Sequence, residues 1–269
     1  MGVSVLLSVY KKENPMYFEE ALQSIICQTV RPDEIVIIKD GPLTLELEQV
    51  IEGTKKRFVN IVTYQFEENV QLGRALAKGV TLCQNELIAR MDTDDIACPE
   101  RLEIQLEYMN NHPEIAVCGG WLEEFNDAGT YSKIKEMPIE WNAIRKYARY
   151  RNPLNHMTVM FRKTAIMDVG NYQHFPLLED YHLWSRVIAN GGVVSNIPKV
   201  LVKMRTNEGV YDRRGGWKYF KQYAKLRKEQ LQMGLLSFIE YVIAIILTMG
   251  MTLQPAFLRK MMYQKVLRK

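Results

Sequence analysis

The sequence predicts an α/β protein built on a mainly parallel, doubly wound sheet. Short β-rich apolar runs alternate with segments of helical periodicity. Acidic residues stand where several of those runs end, and ligands of such sheets bind outside the carboxyl ends of the strands. Strands buried on both faces read as near-continuous apolar runs, as Val3–Val9 does.

The elements follow in order. After the first run, Asn14-Pro15 starts a helix, with asparagine as cap and proline in the first turn. Its apolar face is Phe18, Leu22, Ile25 and Ile26. A second strand, Glu34–Ile38, stops at Lys39-Asp40-Gly41, and a helix over Leu43–Lys55 follows. A third strand lies near Asn60–Tyr64, a helix over Leu72–Leu82, and a fourth strand over Glu86–Arg90. Beyond it come a helix at Glu100–Asn110 and strands at Ile115–Cys118 and Trp121–Phe125, split by Gly119-Gly120. A helix over Glu140–Tyr150, a strand at Thr158–Phe161, a helix opening at Leu177–Trp184, and closing strands Val194–Ile197 and Val200–Met204 complete the body.

The fourth strand runs into Met91-Asp92-Thr93-Asp94-Asp95. Carboxylates crowded this closely repel one another unless positive charge sits between them. A hard divalent cation bridging to a phosphate fits, because Mg²⁺ takes one or two carboxylates plus substrate oxygens. A solvated acidic turn capping the next helix is the plainer alternative. The first strand is followed by Tyr10-Lys11-Lys12-Glu13-Asn14, with no glycine-rich dinucleotide loop and no Gly-Lys-Ser/Thr loop. Phosphates would therefore rest on metal and basic side chains.

Charge is unevenly spread. Residues 201–269 carry 14 Lys and Arg against 4 Asp and Glu, so a basic tail follows a mildly acidic body. That pattern points to phosphate-bearing partners. From Trp217 to Leu231 the tail reads as a basic amphipathic helix with Trp217, Phe220 and Leu231 on its apolar side. Leu235–Leu253 is apolar apart from Ser237, Glu240 and two threonines, with Arg259, Lys260, Lys265, Arg268 and Lys269 beyond it. This length could just span a bilayer, but Glu240 and the basic flanks favour a helix lying at the interface. The four cysteines, Cys27, Cys83, Cys98 and Cys118, lack paired spacing and read as buried free thiols of a reducing compartment. The apolar start is too short for a secretory signal, so the chain is expected in the cytosol.

Five segments together resemble family 2 glycosyltransferases of the GT-A fold, of the bacterial O-antigen and exopolysaccharide type. They are Val5–Tyr10, Ile37–Gly41, Asn69–Leu76, Arg90–Asp95 and Glu179-Asp180-Tyr181. The resemblance covers roughly residues 3–205, and implies a mixed, mainly parallel sheet flanked by helices. It divides the chain into a GT-A domain at 1–205 (nucleotide half 1–98, acceptor half 99–205), a loop and basic helix at 206–232, and a membrane-associating tail at 233–269.

The resemblance also implies the chemistry. Asp40 would accept a hydrogen bond from the uracil of a UDP-sugar. Asn69, Arg74, Arg90, Asp92 and Arg205 would lie on the donor side, with Arg213-Arg214 and Trp217 closing over the diphosphate. Asp92 and Asp94 match the Asp-x-Asp motif for Mn²⁺ or Mg²⁺, and Asp95 is a further candidate ligand. Asp180 would be the catalytic base of an inverting transfer, with Glu179 and His156 on the acceptor side. The implied acceptor is an undecaprenyl-diphosphate-linked saccharide at the cytoplasmic face of the inner membrane, and self-association is left open. A sugar nucleotidyltransferase would want a glycine- and Arg/Lys-rich loop at residues 10–15. A non-enzymatic membrane-surface adaptor would use the basic tail alone. Nothing in residues 1–200 resembles a nucleic-acid module, so no nucleic-acid partner is expected.

Overall fold

The computed structural model describes residues 2–58, 60–206 and 215–254. Its first half alternates β1 (Val3–Val9), α1 (Pro15–Ile26), β2 (Glu34–Lys39), α2 (Leu45–Lys55), β3 (Ile61–Gln65), α3 (Leu72–Leu82) and β4 (Leu87–Arg90). Asn14 caps α1 as the sequence predicts, its side chain accepting from the Met16 N–H, and Thr44 does the same for α2.

The second half contains β5 (Ile96–Ala97), α4 (Arg101–Asn111), β6 (Ile115–Phe125), β7 (Ser132–Lys135), α5 (Trp141–Ala148), β8 (Met160–Arg162), α6 (Lys163–Asp168), α7 (Glu179–Ala189) and β9 (Val193–Arg205). A C-terminal arm of α8 (Trp217–Gln232) and α9 (Phe238–Thr252) follows.

One sheet carries the order β3-β2-β1-β4-β8-β6-β9-β5, with β7 on β6. Pairing is parallel from β3 through β4 and again between β6 and β9; β8, β5 and β7 pair antiparallel. The sheet is thus mixed, with its parallel stretch holding the carboxyl ends of β2 and β4 on either side of β1. Helices cover both faces in two apolar layers. Each layer draws on residues from both halves, Val3 with Leu201 in one and Leu6 with Trp184 in the other.

Four sequence expectations are corrected. Gly119-Gly120 does not split a strand, because β6 runs through it. A Cβ on Gly119 would lie 2.6 Å from Asn196 Oδ1 and one on Gly120 2.4 Å from Leu201 Cδ1, so glycine here admits β9. The two closing strands are likewise one, β9. The buried face of α8 is Tyr219, Leu226, Arg227 and Gln230, whereas Trp217 is exposed and stacks on Phe220. Of the cysteines, Cys83 and Cys118 are buried, with thiols pushed up to about 12 by burial, but Cys27 is exposed. No helix among the described residues is long and apolar enough to cross a membrane. Arg213-Arg214 and the basic residues from Arg259 onward lie outside the described residues.

Candidate active site

Asp40 follows β2 and is buried. Its Oδ1 accepts from the Val70 N–H at 2.6 Å and its Oδ2 from Asn69 Nδ2 at 2.9 Å. Burial raises the Asp40 pKa, and the Val70 and Gln71 N–H groups oppose that rise. Gly41 turns the chain at φ +90°, and a Cβ there would sit 3.0 Å from the Asn69 nitrogen. Each carboxylate oxygen has a second lone pair, so Asp40 can pin the 69–71 segment and still accept from a ligand N–H. Arg74 stands exposed in the first turn of α3 beside this corner.

At the end of β4, the buried guanidinium of Arg90 grips Asp92 with two bonds, Nη1 to Oδ2 at 2.6 Å and Nη2 to Oδ1. Asp94 is raised by burial and then by the charge of Asp92, with Arg90 and Arg205 pulling the other way. Asp95 is raised well above its ordinary range, again by burial first and then by its two acidic neighbours. Its Oδ1 accepts from the Arg205 N–H at 3.0 Å, but its Oδ2 is buried without a partner.

These carboxylates fit a divalent cation. Their repulsion is only partly offset by two arginines, and an oxygen is left unmatched in a buried place. Among the described residues no three His, Cys, Asp or Glu side chains are grouped so as to hold a metal ion by themselves. The donor set is the kind that shares a cation with a bound phosphate.

Arg205, at the end of β9, is buried. It pairs with Glu20 and Asp127, donates from Nε to the Asp94 carbonyl at 3.2 Å, and lies over Tyr17 and Phe125. It therefore straps α1 and the end of β6 to the acidic cluster.

The acidic pair opens α7. Asp180 Oδ2 accepts from Asn152 Nδ2 at 2.6 Å and Oδ1 from the Tyr181 N–H at 2.7 Å. Burial raises its pKa, opposed by those two donors and by Arg90. Glu179 is pushed up to about 7, mainly by burial, and its Oε2 is buried without a partner. Gly73 explains how α3 reaches this pair. A Cβ there would lie 2.6 Å from the Gln173 carbonyl and 3.3 Å from Glu179 Cβ.

His156 stands in a 3-10 turn, His156–Thr158, with Nε2 2.9 Å from the Tyr172 hydroxyl. Burial and then the charge of Arg90 hold the imidazole well below its ordinary pKa, so it is neutral. The buried Tyr172 phenol is raised, and it feels the charges of Arg90, Asp180, Glu179 and Asp92 together. The metal-motif end of β4 and the acidic pair of α7 thus share one electrostatic neighbourhood centred on Arg90. Sequence reasoning missed Tyr172, which lies among these charges, gave Asn152 no role, and read Arg227 only as part of a basic amphipathic helix. A buried arginine in a predicted amphipathic stripe gives no signal of its own.

A family model described as "Glycosyl transferase family 2" matches residues 4–175. The chain belongs to that family. It is 38% identical to the "Amylovoran biosynthesis glycosyltransferase AmsE" of Erwinia amylovora, over 97% of this chain and 98% of the relative. It is 39% identical to the "UDP-Gal:alpha-D-GlcNAc-diphosphoundecaprenol beta-1,3-galactosyltransferase" of Escherichia coli, over 99% of this chain and 96% of that one. Among solved structures, residues 1–349 of S. aureus TarS in complex with UDP-GlcNAc superpose with a TM-score of 0.71 at 18% identity. That match covers 99% of this chain and 76% of the other. The protein is a family 2 glycosyltransferase of GT-A fold, of the O-antigen and exopolysaccharide type. Asp180 and the arm lie beyond the stretch that the family model matches.

Proposed function

We propose that the enzyme transfers a hexose or N-acetylhexosamine (galactose, glucose or GlcNAc) from a UDP-sugar to an undecaprenyl-diphosphate-linked saccharide, inverting the anomeric centre to a β-linkage. One observation carries the division of labour. Asp180 is held by Asn152 and the Tyr181 N–H, apart from the 92–95 carboxylates, so it stays free to take a proton. The E. coli relative, alike over nearly the full length, supports the donor and the lipid-linked acceptor and makes galactose the first sugar to try.

In this reading Asp40 receives the uracil N–H, and Asn69 and Arg74 line the nucleotide side. Asp94, with Asp92 or Asp95, would hold Mn²⁺ or Mg²⁺, which supplies Lewis-acid stabilisation of charge on the departing diphosphate. Arg90 aims Asp92, and Arg205 fixes Asp94 and Asp95. Asp180 accepts the proton of an acceptor hydroxyl as that oxygen attacks the anomeric carbon. The bond from that carbon to UDP breaks on the opposite face, so one displacement turns an α-linked donor into a β-linked product. Glu179 and neutral His156 border the acceptor. A panel of UDP-sugars with Mn²⁺ and a synthetic GlcNAc-diphospholipid, scored by UDP release, tests the assignment. Turnover with GDP- or dTDP-sugars and none with UDP-sugars would sink the role given to Asp40.

The arm supports a further part of this reading, peripheral association with the cytoplasmic face of the membrane. The outward side of α9 is apolar, with Phe238 69%, Ile239 72% and Ile246 58% exposed. Lys218, Lys221, Lys225 and Lys228 lie on the neighbouring α8. An in-plane helix with cationic flanks suits an anionic bilayer. Flotation with phosphatidylglycerol vesicles should carry the wild type, while an Ile239→Glu, Ile246→Glu double variant stays at the bottom. Equal flotation of both would remove α9 as the contact.

A further inference from the structure

Arg227, in the middle of α8, is one of the largest fully buried side chains of the protein. Withdrawing a guanidinium from water is costly, and replacing such a group with apolar packing often stabilises a protein. Its hydrogen-bond partners among the described residues include no carboxylate. Nη1 donates to the Arg149 carbonyl at 2.8 Å, to the Tyr181 hydroxyl at 2.8 Å and to Gln230 Oε1 at 2.7 Å. Nη2 donates to the Tyr150 carbonyl at 2.6 Å. The rings of Tyr181 and Tyr223 flank the cation at 5.3 and 5.5 Å.

These bonds converge on two pieces of chain. One is the turn 148–150, two residues before Asn152. The other is the start of α7, where Tyr181 directly follows Asp180. The ties are doubled: Tyr181 donates its hydroxyl to the Ala148 carbonyl at 2.7 Å, and Gln230 Nε2 reaches the Ser185 hydroxyl at 2.8 Å. A third link joins the same helices, His182 Nε2 to Glu229 Oε2 at 2.7 Å. Burial pushes that imidazole down to about 3, so the link is a neutral N–H donating to a carboxylate. The Asn152–Asp180 bond closes the loop at 2.6 Å. Arg227 therefore holds both members of that bond through their neighbours, from a helix beyond the family-model match.

We propose that Arg227 is a positioning residue for the transfer step: by fastening Tyr181 to the carbonyls of Arg149 and Tyr150, it sets Asp180 against Asn152. The arm then has a task in the active site that is separate from any contact with a membrane. This rests on the reading of Asp180 as the base.

The test uses the full chain and a water-soluble acceptor, GlcNAc-diphosphate on a short alkyl chain, so membrane contact does not enter. Arg227→Met should lower kcat about tenfold or more per folded molecule while KM for the UDP-sugar stays within about twofold, because a small misplacement of the reacting groups is costly. Arg227→Lys should recover part of kcat. Tyr181→Phe removes only the shared hydroxyl and should fall between wild type and Arg227→Met, so it carries the test if Arg227→Met folds poorly. Wild-type kcat per folded molecule in both Arg227→Met and Tyr181→Phe overturns the proposal, as does an equal loss of donor affinity. Asp180→Asn is measured in parallel. Full transfer by Asp180→Asn overturns the base assignment, whereas its loss with unimpaired Arg227 variants overturns the positioning role alone.

Discussion

In the proposed reading, the donor corner around Asp40 and Asp92–Asp95 and the catalytic corner around Asp180 are built differently. At the donor corner the polar groups stand at the ends of β2 and β4, and Arg205 reaches them from the end of β9, 110 residues from Asp95. Arg90 and Asp92 are two residues apart, and Asp40 meets Asn69 and Val70 about thirty residues on. The corner around Asp180 is instead tied to the C-terminal arm: Asp180 bonds Asn152 across 28 residues, and Tyr181 and the Arg149 carbonyl bond Arg227 across 46 and 78. The Asp-x-Asp stretch is thus written into one strand end, whereas the proposed base is held through neighbours that the arm fastens. The two corners should therefore fail in different ways when broken.

The largest effect is expected at the base. Asp180→Asn should cut kcat by about 10²–10⁴-fold, the usual worth of a positioned base, and leave UDP binding nearly unchanged. At the donor corner, Asp94→Ala should weaken Mn²⁺-dependent UDP binding and turnover together, by about tenfold or more in affinity, read by calorimetry with and without the cation. Asp40→Ala removes the carboxylate that accepts from Val70 and Asn69, so about 1–3 kcal/mol of stability should go with the rise in UDP-sugar KM. Denaturant melts measure the first and initial rates the second.

The smallest effect is a pH dependence. Glu179 is raised from 4.5 to about 7 in the folded protein, so between those values the native state binds more protons than the unfolded chain. Stability should therefore fall as pH rises through that window, and Glu179→Gln should flatten the slope. Thermal melts from about pH 5 to about pH 8 compare the two, and identical slopes would remove Glu179 as the source.

How much was legible in the sequence follows the same divide. The first half could be read nearly to the residue: Val3–Val9, the Asn14 cap and Leu72–Leu82 stand as predicted, because apolar runs, capping chemistry and helical spacing are local signals. Asp40 and the 92–95 cluster could each be placed at the carboxyl end of a parallel strand, and β2 and β4 do flank β1 in parallel. The glycine pair of β6 misled because a glycine that admits a neighbouring strand looks, in sequence, like one that ends a strand. β5, with two residues, and β7, reading Ser-Lys-Ile-Lys, offer no apolar run to mark a strand, and α6 has fewer than two turns to show a helical period. Arg205 was expected to face the diphosphate, and the structure shows it strapped between Glu20, Asp127 and the Asp94 carbonyl. Tyr172, Asn152 and Arg227 matter through contacts tens of residues away, which no local pattern encodes.

The separation of the two corners is tested most directly by measuring UDP affinity and turnover on the same two variants, Asp94→Ala and Asp180→Asn, with Mn²⁺ present. The predicted result is crossed: Asp94→Ala loses binding and turnover together, while Asp180→Asn binds UDP like the wild type and turns over about 10²–10⁴-fold more slowly. Loss of UDP binding by Asp180→Asn to the same extent as by Asp94→Ala would contradict it.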